Sequence, residues 1–457
     1  MLRSYSQNGP RTLGLTRRFG YRAKDLQLHT RRIHTSNPPP WRPASSLDDW
    51  VGKEARPISL RQLMVFGRSL TEARLISSAN YVRTELPTRL AHRIRDMQTL
   101  PYVVVTNPHI SAVYELYYKA FESLRRVREI KTLEDNEKFC NKIGETLKEH
   151  LTVIPKLAMG VLECRDLMKP ENMDKFMNTI LRSRISRRVI AEQHLALTET
   201  FNSPWHFPDA EKPSLTDAEF VGEVFLRCNA SEVITRIGHE VASLASLAYG
   251  PSTPLPAIKL SGHLDATFPY ILSHLEYIIG ELLRNSIQAT VERNHKREAV
   301  PPIEVTVCEA QQHVIIRVSD QGGGIPRDIL PHLWSFSKGP RKHQRLENLN
   351  QVPKMAATLQ ELRATPSSNF PPPSPPTLPL DEKMSMWQDS SLSSLSSRPP
   401  NLRLGMGLPL SRVYAEYWAG SLELHSLEGY GVDAFLQISK LGNKNEQLTM
   451  RASMDAV

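Results

Sequence analysis

Three short stretches hold residues whose types and spacing could do chemistry. The first is "GELLRNSIQAT", residues 280–290. Glu281, Asn285 and Gln288 stand at i, i+4 and i+7, so a helix would carry them on one face. Asparagine is a poor helix former, and Asn285 needs a reason to be there. Its amide oxygen is a hard neutral ligand, suited to Mg²⁺ held jointly with nucleotide phosphates. Glu281, one turn earlier, faces the same space and could act as a base. The solvated side of an amphipathic helix would show the same stripe. The second stretch is "SDQGGGIP", residues 319–326, directly after the apolar run "HVIIRV". Its glycines permit close approach to a ligand, and Asp320 at a strand end can accept hydrogen bonds from an exocyclic amine. A plain tight turn would read the same way. The third is "LRLGMGLPLSRVYAEYWAGSLEL", residues 402–424. Gly405 and Gly407 precede a helix expected to begin near Leu408 or Pro409. Such an entry offers free backbone N–H groups and a positive dipole end to phosphates.

These stretches need elements to position them. A helix starting near Ser273, with Glu276 completing a capping box, would carry Glu281 and Asn285. "PAIKL", "IEVTVCE" and "HVIIRVSD" alternate or run apolar with β-branched residues, as strands do. "AGSLELHSLEGYGVDAFLQIS" reads as a second strand pair turning at Gly429 and Gly431. "FVGEVFLRCNASEVITRIGHEVASLASLAYG" reads as helix. From about residue 58 to 205 apolar residues recur at three- and four-residue spacing, with Pro87, Pro101, Pro108 and Pro155 at expected helix starts and loops. The fold class expected is therefore α+β: an antiparallel helical bundle, followed by an α/β sandwich with helices over one face of a mixed sheet.

The bulk chemistry narrows the function. Eight Lys and Arg against one acid, Asp25, place +7 of the net +9 within residues 1–36. A nucleic-acid binder would carry its basic stripe on the folded part, so no nucleic-acid partner is expected. The same Arg-rich, acid-poor segment has the composition of a mitochondrial transit peptide, or of a disordered basic arm. No apolar run is long enough to span a membrane. Cys140, Cys164, Cys228 and Cys308 are scattered and read as buried thiols. The divisions expected are 1–40 (transit peptide and linker), 46–210 (helical bundle), 215–440 (α/β domain) and 441–457 (flexible tail). Within the third, the Pro- and Ser-rich stretch 363–401 reads as a disordered insert.

Together the three stretches resemble the Bergerat-type ATP site of gyrases, heat-shock chaperone ATPases and histidine kinases. With "RTELPTRLAHRIRDMQTLP", "HLTVIPKLAMGV" and "SRISRRVIAEQH" added, the chain closely resembles the mitochondrial pyruvate and branched-chain 2-oxoacid dehydrogenase kinases over roughly residues 58–440. The resemblance implies transfer of phosphate from ATP to a serine of the dehydrogenase component, inactivating it in the mitochondrial matrix, with pyruvate dehydrogenase favoured. It implies Glu281 as general base and Asn285 as Mg²⁺ ligand. Asp320 would bind the adenine amino group, Gly322 and Gly324 would let the backbone approach the base, and Gly405, Met406, Gly407 and Leu408 would line the triphosphate. It implies a 2-oxoacid regulatory pocket at His150 and Arg188, docking on the lipoyl domain of the acyltransferase component, and a homodimer.

The chain departs from the family pattern at Gln288, where a cation is usual, and at Val432, where threonine is usual. Tyr277, four residues before the glutamate, leans toward the branched-chain enzymes. Two other functions compete. A protein-histidine kinase would use His239 as phospho-acceptor, and a non-catalytic ATP-binding scaffold would bind nucleotide without transfer.

Overall fold

The computed structural model describes residues 44–67, 70–202, 220–294, 299–352, 354–357, 392–394, 398 and 402–440. The expected transit peptide, the boundary near residues 210–215 and the C-terminal tail lie outside them. The chain divides into two units, Met1–Ala44 and Ser45–Val457. The second holds both the helical layer and the α/β layer.

The helical layer comprises α1 (Ala44–Val51), α2 (Leu60–Gly67), α3 (Glu72–Gln98), α4 (Tyr102–Val105), α5 (Pro108–Arg125), α6 (Leu133–Glu149), α7 (Val153–Glu163) and α8 (Pro170–Asn202). Local chemistry sets the starts. Thr71 caps α3 by accepting from the Arg74 N–H. Asn107 caps α5 with Pro108 in its first turn. Thr132 and Asp135 form a reciprocal capping box on α6. Leu86, Leu90, Tyr117, Phe121, Leu147 and Ile180 lie in the core these helices share. Pro87 corrects the expectation that every proline here marks an end, because it lies buried inside α3.

A second correction concerns "FVGEVFLRC". It forms strands β1 (Phe220–Val221) and β2 (Val224–Asn229), with β4 (Thr267–Ile271) completing a three-stranded sheet. Gly222, at φ +58°, turns the chain between β1 and β2. Helix α9 (Ala230–Tyr249) starts only after Asn229, whose side chain accepts from the Ser231 and Glu232 N–H groups.

The main sheet has the order β3-β5-β6-β10-β9: β3 (Ile258–Gly262), β5 (Ile303–Glu309), β6 (His313–Asp320), β10 (Gly431–Ser439) and β9 (Ser421–Leu427). β3 and β5 are parallel and the other pairs antiparallel, so the sheet is mixed. β6 alternates buried and half-buried residues along its length, the signature of one covered face. Helices α10 (Leu272–Asn294) and α12 (Gly407–Tyr417) pack on the sheet, with α9 against α10. Between β6 and α12 lie α11 (Lys342–Asn350) and β7 (Lys354–Ala356), which pairs in parallel with β8 (Leu392–Ser394). The stretch 363–401 is thus structured at its far end, at β8 and at Arg398, and the rest of it lies outside the described residues.

Candidate active site

Helix α10 begins at Leu272, one residue before the expected start, and the Glu276 carboxylate is bound by Arg236 of α9 at 2.5 Å. The stripe it carries is not uniformly solvated, since its first member is enclosed while Asn285 and Gln288 are half-buried. Glu281 is 0% exposed. Its Oε2 accepts from Nη2 of Arg398 at 2.8 Å, and its Oε1 lies 3.8 Å from Nε of Arg284. Arg284 is itself buried and donates to the Arg398 carbonyl at 2.6 Å. Burial brings its pKa down to about 10. Glu281 Oε1 has no hydrogen-bond partner, so one lone-pair set of a buried carboxylate is unspent. Asn285, one turn on, is half-buried.

The glycine entry of α12 comes up against this carboxylate. A Cβ on Gly407 would overlap Glu281 Oε2 and lie 2.9 Å from its Cδ. Glycine is therefore needed at the first residue of α12 because the glutamate occupies the side-chain space. Tyr277, one turn before Glu281, directs its hydroxyl to the Gly407 carbonyl at 3.5 Å. Gly405 has φ +67°, and a Cβ there would collide with the Arg345 guanidinium. Met406 is buried, and Leu408 packs half-buried against the core.

Asp320 ends β6 nearly buried, 6% exposed. Its Oδ1 accepts from the Gly322 N–H and its Oδ2 from Ser286 Oγ, both at 2.9 Å. Burial raises its pKa, opposed by these bonds and by the Val432 backbone N–H. Val432 lies opposite Asp320 in the ladder, so its main chain supplies a contact while Ser286 supplies a hydroxyl. Gly322 and Gly324 are crowded by protein: Cβ atoms there would lie 2.5 Å from Ala289 Cβ and 2.8 Å from the Leu427 carbonyl carbon. Gln288 donates to Glu292 at 3.1 Å, and Arg403 pairs with the same carboxylate. A cation therefore stands beside Gln288, delivered from the residues before α12.

The helical layer gathers the other expected pair. His150 lines a cavity of about 30 Å³ with Tyr117, Arg184, Arg187 and Arg188. Burial, then Arg187, pushes the His150 pKa down to about 3. Arg187 stacks over Tyr117 at 4.4 Å. Arg188 pairs with Glu192 at 2.6 Å, so its charge is already met. A larger cavity, about 1000 Å³, lies among residues 56–63, α3 and α8, where Ile58, Leu63, Tyr81 and Leu197 line it with Arg56 and Arg61. α8 also reaches the α/β layer, where Arg182 pairs with Glu416 of α12 at 2.5 Å and Asp174 accepts from the Phe336 N–H at 2.8 Å.

Sequence reading missed several of these residues. Arg184 and Arg187 stand at i and i+3 beside Arg188, so spacing on α8 could have found them. Ser286 reaches Asp320, 34 residues on, a contact that local spacing does not signal. Arg345 and Arg398 carry no helical-spacing signal, since Arg345 bonds carbonyls 7, 9 and 59 residues away and Arg398 pairs with a carboxylate 117 residues away. Of the four cysteines, Cys164 and Cys228 are buried, whereas Cys140 is half-buried and Cys308 exposed.

Comparison with known proteins agrees with this geometry. A family model for the mitochondrial branched-chain alpha-ketoacid dehydrogenase kinase matches residues 57–225. One for the histidine kinase-, DNA gyrase B- and HSP90-like ATPase matches residues 271–353. The chain is 32% identical over 430 residues to a Saccharomyces cerevisiae mitochondrial [pyruvate dehydrogenase (acetyl-transferring)] kinase 2, covering 88% of this chain and 86% of that protein. The Arabidopsis thaliana kinase is 30% identical, with 89% and 97% covered. The human isozyme 1 is 29% identical, with 84% and 77% covered. These relatives and family models identify the chain as a member of the mitochondrial 2-oxoacid dehydrogenase kinase family, ATP-dependent protein kinases built on an α+β fold.

Proposed function

We propose that this protein phosphorylates a serine of the dehydrogenase component of a 2-oxoacid dehydrogenase complex in the mitochondrial matrix and thereby inactivates it, with pyruvate dehydrogenase favoured. The observation that carries the reading is the enclosure of Glu281, one helical turn before Asn285 and against the first residue of α12. Glu281 is the general base: Oε1, the oxygen without a hydrogen-bond partner, accepts the serine proton as the serine oxygen bonds the γ-phosphorus and the bond to ADP breaks. Arg284 and Arg398 hold the carboxylate in place. Asp320 takes the adenine amino group, with Gly322 and Gly324 shaping the turn beside it. The triphosphate lies along Gly405, Met406, Gly407 and Leu408, toward the positive end of α12.

Among the described residues no cluster of three or more His, Cys, Asp and Glu is placed to hold a metal ion. Asn285 with phosphate oxygens is the donor set that fits Mg²⁺, which would neutralise charge on the phosphates. The Arg184, Arg187 and Arg188 cluster around His150 supports a regulatory pocket for a small acid. The large cavity at Ile58, Leu63 and Tyr81 supports docking of an extended acyl arm, as on a lipoyl domain. A homodimer rests on the family resemblance. Among the described residues no helix is long and apolar enough to cross a membrane.

The test incubates the full-length chain with ATP, Mg²⁺ and each purified dehydrogenase component. Serine phosphorylation with loss of dehydrogenase activity is expected, and Glu281→Gln should abolish transfer while keeping ATP affinity. Absence of transfer to either component overturns the proposal, as does acid-labile label on His239, which is exposed on α9.

A further inference from the structure

Helix α11 lies in the segment that joins β6 to α12, and its inner face is spent on backbone carbonyls. Arg345, 6% exposed, donates from Nε to the Leu404 carbonyl at 3.2 Å and from Nη2 to the Gly405 carbonyl at 3.1 Å. It also holds the residues ahead of α11, through the carbonyls of Phe336 at 2.9 Å and Lys338 at 3.2 Å. One turn on, Asn348 donates to the Arg403 carbonyl at 2.9 Å. Three successive carbonyls, 403 to 405, are thereby turned toward α11.

Peptide planarity makes the rest follow. The C=O of one residue and the N–H of the next point in opposite directions across a trans peptide. With carbonyls 403–405 facing α11, the N–H groups of Leu404, Gly405 and Met406 face away from it, just ahead of the α12 N-terminus. Successive N–H groups presented this way form an anion-binding concavity. The left-handed Gly405 is the residue whose missing side chain leaves room for the guanidinium.

We propose that Arg345, assisted by Asn348, is a positioning residue for nucleotide phosphate: it fixes the peptide units of the glycine entry and ties them to the carbonyls of Phe336 and Lys338. The guanidinium is spent on four backbone carbonyls. It acts through the loop, whose carbonyls it holds in place. The inference rests on the placement of the triphosphate at Gly405–Leu408 and of adenine at Asp320.

The experiment measures affinities of the full-length chain for ATP and for adenosine, in wild type, Arg345→Ala, Arg345→Lys and Asn348→Ala. Arg345→Ala should weaken ATP about tenfold with adenosine held within about twofold, because only phosphate contacts depend on the loop. Arg345→Lys should not restore ATP affinity, since one ammonium cannot span four carbonyls. Asn348→Ala should shift the ATP to adenosine ratio in the same direction by a smaller factor, and it serves if the arginine variants do not fold. Equal loss of ATP and adenosine affinity, or unchanged ATP affinity, overturns the proposal. Asp320→Ala is the separate control: if it leaves adenosine affinity intact, the adenine placement fails, whatever Arg345 does.

Discussion

Gly407→Ala should separate chemistry from folding. Gly407 is the first residue of α12, and its φ does not lie in the left-handed region, so alanine fits the backbone. Taken alone, the change would stabilise a helix by about 0.5–1 kcal/mol. The new methyl, however, overlaps Glu281 Oε2 and lies 3.3 Å from Arg398 Nη2. The carboxylate is fully enclosed, with Arg398 on one oxygen and Arg284 near the other, so it can yield only by leaving its position. A displaced base forfeits its contribution to proton transfer, about 10²–10⁴-fold, which is about 3–5 kcal/mol of barrier. The assay is single-turnover phosphorylation of the serine protein at saturating ATP, with melting temperature measured alongside. Gly407→Ala combined with Glu281→Gln should be no slower than Glu281→Gln alone, because both remove the same group. Transfer by Gly407→Ala within about threefold of wild type would refute the assignment of Glu281 as base.

Ser286→Ala removes the hydroxyl that holds Asp320 Oδ2 and should weaken adenosine binding about fivefold, read by titration. Burial keeps the Asp320 pKa above the ordinary carboxylate value, so binding should fade on acidification before an exposed aspartate would titrate; Ser286→Ala should move that fade to higher pH. His150 and His194 have folded pKa values lowered to about 3 and about 4 from 6.5. The unfolded chain therefore binds more protons between these limits, and stability present above pH 6.5 should fall as pH drops toward 4, by about 1.4 kcal/mol per pH unit for each histidine once the unfolded ring is protonated. His194→Gln should flatten the acid limb of a denaturant-melt series. The same limb in wild type and variant would count against the burial argument.

The sequence made the chemistry of α10 legible but not its surroundings. Strands β5 and β6 appear where alternation places them, because one face of the sheet is covered and period two survives. β1 and β2 were read as helix because "FVGEVFLRC" is short and apolar, with the turn at Gly222 hidden inside it. Pro87 looked like a boundary because an isolated helix would break there, whereas burial against neighbouring helices holds α3 together around it. Glu281 could be named in advance, yet its burial could not: the enclosing groups are Arg398, from a stretch of Pro- and Ser-rich composition, and the bare backbone of Gly407. Gly405 was assigned to phosphate, while its most direct contact is Arg345, since a long-range arginine leaves no periodic trace.

Helix α8 runs 33 residues without interruption, about 50 Å at 1.5 Å per residue. Along that length it meets Phe336 at Asp174, α12 at Arg182, the small cavity at Arg184–Arg188 and the large one at Ile190–Leu197. It is in effect a single stiff shaft bearing on four stations. A rod of this length tilted by one degree about one end moves its other end by about 0.9 Å, a displacement comparable with the tolerances of close packing. One helix thus carries residues of both cavities and of the brace on the helix beginning at Gly407.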